Sequence, residues 1–104
     1  MVQTRRRNTT ARGTSFDQAT IQAVWENARA VPGHDPRLYR KDACGAWIHR
    51  PSYAQTTDYG WEIDHIKPVS AGGSDHMSNL QPLHWKNNRH KGDDWPNWSC
   101  LIAA

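Results

Sequence analysis

The sequence predicts an α+β fold, in which an N-terminal helix precedes a compact strand–loop–strand–helix unit and the connections are short and irregular. Three observations predict it. Apolar residues recur at helical spacing after residue 18, two short strand-like runs separated by a Gly-rich loop follow Gly60, and a helical stretch stopped by Gly92 closes the series.

Chain length bounds the organisation. A chain of 104 residues has room for one domain, and its 37% apolar content makes a thin core. Six Trp partly offset that, since each large ring buries much area. So small a fold needs a staple such as a metal, a disulfide or a partner. The two cysteines, Cys44 and Cys100, are far apart and outside any C-x-x-C pair, so reduced thiols are expected, with a disulfide left open. No apolar run reaches the length of a membrane span and no signal-peptide core is evident, so a soluble, cytoplasmic protein without a membrane partner is expected.

Residues 1–14 carry Arg5, Arg6, Arg7 and Arg12 and no acid, a charge of +4. Of the thirteen Lys and Arg, nine remain beyond this segment against ten Asp and Glu, so the rest is −1 and the total is +3. The segment reads as a basic, disordered tail preceding one domain over residues 15–104. Its arginines suit phosphate contacts that read no sequence, and a plain solvated terminus fits the composition equally well.

Each element has its own signal. Ser15 and Gln18 form a capping box, and Ile21, Val24, Trp25 and Ala28 fall on one helical face that Val31-Pro32-Gly33 ends. Between residues 34 and 60 the signals are weak: a helical turn over Arg37–Lys41 and a strand over Ala43–Ile48 are expected. Trp61 to Ile66 reads as a strand closed by Pro68, Gly72-Gly73-Ser74-Asp75 as a loop, and Asn79 to Leu83 as a second strand that Pro82 assigns to an edge. His84 to Lys91 reads as a short helix. This order is that of a ββα-metal unit, here about residues 61–93.

Three separated blocks carry the chemistry: Trp61-Glu-Ile-Asp-His-Ile-Lys-Pro-Val-Ser-Ala-Gly-Gly-Ser-Asp75, Ser78-Asn-Leu-Gln-Pro-Leu83, and Asn87-Asn-Arg-His-Lys-Gly-Asp93. Together, in this order, they resemble the HNH endonuclease motif of small stand-alone bacterial and phage proteins. The resemblance implies a ββα-metal core and hydrolysis of DNA phosphodiesters to 5′-phosphate and 3′-hydroxyl ends. It assigns His65 as general base, Asp64 and Asn88 as ligands of one divalent metal, and Asn79 as the middle asparagine that holds the inter-strand loop. Asn88 stands where many members have His, which makes this an H-N-N variant. The cysteine pairs that bind structural zinc in many relatives are missing, and His84 and Asn87 stand where the second pair would be.

The residue types suit the task. A histidine titrates near neutral pH and so can take a proton from water. One carboxylate and one amide oxygen are hard ligands, which favours Mg²⁺ or Mn²⁺. Glu62 shares a strand face with Asp64 and is expected either to orient a site group or an arginine or to be an ordinary exposed strand carboxylate, and Lys91 shares a helix face with Asn88 and could neutralise a phosphate. Asp64 and His65, adjacent in a strand, should point to opposite faces, so the backbone is expected to twist out of the pleat there. The tryptophans are expected in the core, with Trp85, Trp95 and Trp98 packing the last helix. DNA is the expected partner, with protein partners of a phage or restriction system in view. The alternatives are a non-catalytic nucleic-acid-binding module and a scaffold subunit on the same fold.

Overall fold

The computed structural model of the chain describes residues 5–103. Two helices and two antiparallel two-stranded sheets make up the α+β architecture: α1 (Gln18–Trp25), β1 (Tyr39–Lys41), β2 (Trp47–His49), β3 (Trp61–His65), β4 (Leu80–His84) and α2 (Trp85–Lys91). No helix among the described residues is long and apolar enough to cross a membrane.

Helix α1 starts one cap later than expected. Asp17 rather than Ser15 is the N-cap, its carboxylate accepting from the Thr20 amide. The helix also ends early, at Trp25, because Asn27 and Ala28 bond tightly to the carbonyls of Val24 and Trp25 and Arg29 then bridges to Lys41. Ile21, Val24 and Trp25 are the face it buries.

The segment expected to hold a helical turn is a strand instead. Tyr39, Arg40 and Lys41 pair with His49, Ile48 and Trp47. Asp42 decides this locally, since its Oδ1 accepts the amides of Cys44 and Ala46 and so closes the hairpin turn.

The core joins α1 to β2, β3 and β4 through Ile21, Val24, Trp25, Ile48, Trp61, Ile63 and Leu80. The rings of Trp25 and Trp61 lie 5.3 Å apart, and each indole N–H donates to a carbonyl, of Pro36 and Arg50 respectively. Burying two indoles without an unpaired N–H is what makes so few aliphatic residues sufficient. Only these two tryptophans are fully buried; Trp95 is exposed and Trp85 and Trp98 are half-buried, which corrects the packing expected of them.

β3 and β4 pair from Trp61↔His84 to His65↔Leu80, and α2 packs across both strands. A buried knot holds the start of α2. Asp42 Oδ2 accepts from the His84 amide and from Asn87 Nδ2, while Asn87 Oδ1 accepts from the amides of Leu101 and Ile102. Cys44 and Cys100 are joined in a disulfide that closes this corner, so the expected reduced thiols are corrected. A structural disulfide is uncommon in reducing compartments, so this bridge does not favour the expected cytoplasmic location.

Residues 5–14 differ from a detached, disordered tail: Thr9 is buried, Asn8 is half-buried and Asn8 bonds to β3. Residues 1–4 of that segment lie outside the described residues.

The disulfide links residues 56 apart in sequence. Replacing Cys44 and Cys100 with serine should therefore lower the unfolding free energy by about 2–4 kcal/mol, mainly by freeing the unfolded chain. Equilibrium urea unfolding reads this directly, and an unchanged midpoint would show that the bridge contributes nothing.

Candidate active site

β3 ends in a cleft of about 720 Å³ whose lining includes Arg6, Arg7, Glu62, Asp64, His65 and Asn88. The strand reaches it without leaving the pleat, because pairing stays regular through His65 and continues with the Ile66 amide bonded to Asn79 O at 2.8 Å. The expected twist is absent. Glu62 and Asp64 face α2, His65 faces Phe16 and Asp75, and the cleft wraps the end of the strand so that both sides open into it.

On the α2 side the charges are tightly paired. Asp64 Oδ2 accepts from Gln81 Nε2 at 2.9 Å and meets Lys91 Nζ at 3.3 Å. Lys91 is fully buried and also donates to the His65 carbonyl at 3.2 Å. It thus faces inward, holding the strand, and is not turned toward a bound phosphate. Burial pushes the Asp64 carboxyl above the usual carboxylate range, against the opposing pull of the Gln81 hydrogen bond, the Lys91 ammonium and His65. A carboxyl whose pKa rises on folding favours the native state only in acid, and that contribution is lost as pH rises through the native value.

Glu62, also buried, accepts from Asn88 Nδ2 at 2.8 Å and from Arg89 at 3.1 Å. A carboxylate only accepts, so it fixes the Asn88 amide with its nitrogen inward and leaves Oδ1 for the cleft. The donor set on offer is one carboxylate and one amide oxygen. Among the described residues no three His, Cys, Asp or Glu side chains gather as a metal group, so a thiolate or multi-histidine zinc site has no ligands here. Two hard oxygens fit an ion that keeps water and phosphate in the rest of its shell.

On the other face, His65 Nε2 lies 2.8 Å from Asp75 Oδ1, and the Phe16 ring packs over the imidazole at 6.1 Å. Among the described residues no group bonds Nδ1 and no buried polar side-chain atom lacks a partner, so Nδ1 is the ring nitrogen left for the cleft that His65 lines. Sequence reasoning missed Asp75. Its signal was the Gly-Gly step before it: Gly72 has φ +92°, and a Cβ on Gly73 would meet Lys67 O at 1.8 Å, so only glycines let the chain turn back toward His65. Asn79 pins the same loop, accepting from the Lys67 amide and donating to Lys67 O and Ser74 O.

The four N-terminal arginines are not equivalent. Arg5 donates to Thr9 O and Thr9 Oγ1 and so ties its own turn. Arg6 and Arg7 are exposed on the cleft wall, whereas Arg12 is exposed away from it. His84 is buried outside the cleft, capping α2 through the Lys86 amide and bonding to Asp58 O.

The family model for HNH endonuclease matches residues 44–94. No curated protein and no solved structure matches the chain.

Three hydrogen bonds through Asn79 hold the loop, and Asn79→Ala removes them all. At roughly 0.5–1.5 kcal/mol each, the variant should lose about 2–4 kcal/mol of stability. Hydrogen exchange should then quicken first at the Lys67 amide; slow exchange there would mean the loop is held by other contacts.

Proposed function

Through residues 44–94 the chain belongs to the HNH endonuclease family, and from that premise we propose that it is a metal-dependent endonuclease hydrolysing the phosphodiesters of DNA. The carrying observation is the meeting, in one cleft, of an imidazole with an open Nδ1, a buried carboxylate and an oriented amide oxygen. Neither alternative, a silent binding module or a scaffold, calls for a base, a carboxylate and an amide to be held so.

Asp64 and Asn88 would hold the divalent cation, Mg²⁺ or Mn²⁺. When bound, such an ion supplies a Lewis acid to the phosphoryl and leaving oxygens. The chain's own residues do the rest. His65 Nδ1 takes a proton from a water whose oxygen attacks phosphorus. The P–O3′ bond breaks, and the departing oxygen takes its proton from solvent. Arg6 and Arg7, on the cleft wall, draw in the phosphate backbone and offset its charge. Lys91 keeps Asp64 aimed, and Glu62 keeps Asn88 from turning its nitrogen to the site. Asn79 acts through the loop.

Supercoiled plasmid should be relaxed in Mg²⁺ or Mn²⁺ and left intact in chelator; binding without any cutting would favour the non-catalytic module. His65→Ala should lower the single-turnover rate by on the order of 10²–10⁴-fold while the metal still raises the thermal midpoint. Asp64→Ala should lose that metal-dependent rise and regain part of its activity at higher metal concentration, and Asn88→Ala should show a milder form. If His65→Ala abolished the metal effect as fully as Asp64→Ala, His65 would be a ligand and the assigned roles would fall.

A further inference from the structure

The N-terminal segment touches β3 at more than one point. Asn8 Oδ1 accepts from the Ile63 amide at 2.8 Å and from the Tyr53 hydroxyl at 3.0 Å. Asn8 sits at φ 58°, the left-handed region that asparagine tolerates better than most residues, so both its backbone and its side chain suit this docking. Three residues on, the Ala11 amide donates to both oxygens of Asp75, at 2.9 and 3.1 Å. Asp75 Oδ1 in turn meets His65 Nε2, whose side chain is only 3% exposed against 41% for Asp75. Phe16, just beyond the segment, covers the imidazole. One stretch of chain therefore docks on the free edge of β3 through Asn8 and reaches the His65 side chain through Asp75 and Phe16.

We propose that Asp75 is the positioning residue of His65, and that the docked N-terminal segment, through the Ala11 amide and Asn8, is a structural part of the catalytic centre. The inference rests on the nuclease reading and deepens it. A carboxylate can only accept, so the proton shared with Asp75 belongs to Nε2. With Nε2–H held, the neutral ring keeps its lone pair on Nδ1, the atom open to the cleft. Asp75 does not touch the phosphate; it sets which nitrogen is the base and where it points. The Ala11 amide keeps this half-exposed carboxylate from swinging into solvent.

The test uses the full chain and two independent readouts. In wild type, at a pH where imidazole is neutral, the NMR spectrum should show a slowly exchanging His65 N–H resonance assigned to Nε2. Asp75→Ala should lose that resonance, and single-turnover cleavage at saturating duplex should fall on the order of tenfold or more, with duplex affinity unchanged. Asn8→Gly, which removes the acceptor without backbone strain, should speed exchange of the same proton, and Asn8→Asp, which keeps the acceptor, should restore it. These Asn8 variants also carry the test if Asp75→Ala fails to fold. A resonance assigned to Nδ1, or one that survives Asp75→Ala with cleavage intact, overturns the positioning role while leaving the nuclease reading standing. A wild type that shows the Nε2–H bond but cuts no DNA overturns the nuclease reading and leaves the hydrogen-bonded chain in place.

Discussion

The Lys91 ammonium, withdrawn from solvent, bonds at once to the Asp64 carboxylate and the His65 carbonyl, and the arrangement of the site follows from that attachment. It fastens the last turn of α2 to the end of β3, where Asp64 and His65 are adjacent. An ion pair buried this deeply is not cheap, and removing one partner would strand the other at a cost of about 3–5 kcal/mol. What the pair secures is register. With Lys91 fixed, Asn88 one turn earlier is brought against Glu62, and the amide flip that offers its oxygen is settled by the same helix–strand contact.

Much of this order was legible because it is written in spacing. The strand from Trp61, the Gly-Gly loop, the second strand and the helix ending before Gly92 are local patterns, and the structure has each of them within a residue or two. What was not legible depends on partners distant in sequence. Asp42 looks like any turn acid, yet it closes a hairpin and also bonds Asn87, which is 45 residues away. The hairpin strands over Tyr39–Lys41 and Trp47–His49 have only three residues each, too few to show a period. Lys91 reads as a phosphate ligand on a solvated helix face, and only the packing of α2 on β3 turns it inward. The basic segment reads as a tail by composition, since nothing local announces that Asn8 will pair with Ile63.

Stapling is solved here without thiolate pairs. This chain places Asp42, His84 and Asn87 in a mutual hydrogen-bonded knot, and Cys100, bonded to Cys44, brings the C-terminal residues onto it. A carboxylate that accepts four bonds and an amide whose oxygen and nitrogen are both used help leave no buried polar side-chain atom unpaired among the described residues. The knot holds α2 at its start as Lys91 holds it at its end. Asn88, between them, is thereby kept in place.

The central claim is that Asp64 and Asn88 hold one cation in the cleft that His65 serves. Paramagnetic broadening by Mn²⁺ tests it most directly. On titration, the Asn88 carboxamide, the Asp64 amide and the His65 ring should broaden first and together, with the buried His84 and Asn87 resonances affected far less. Broadening centred on His84, His90 or the acidic loop at Asp93, with the Asn88 carboxamide spared, would contradict it.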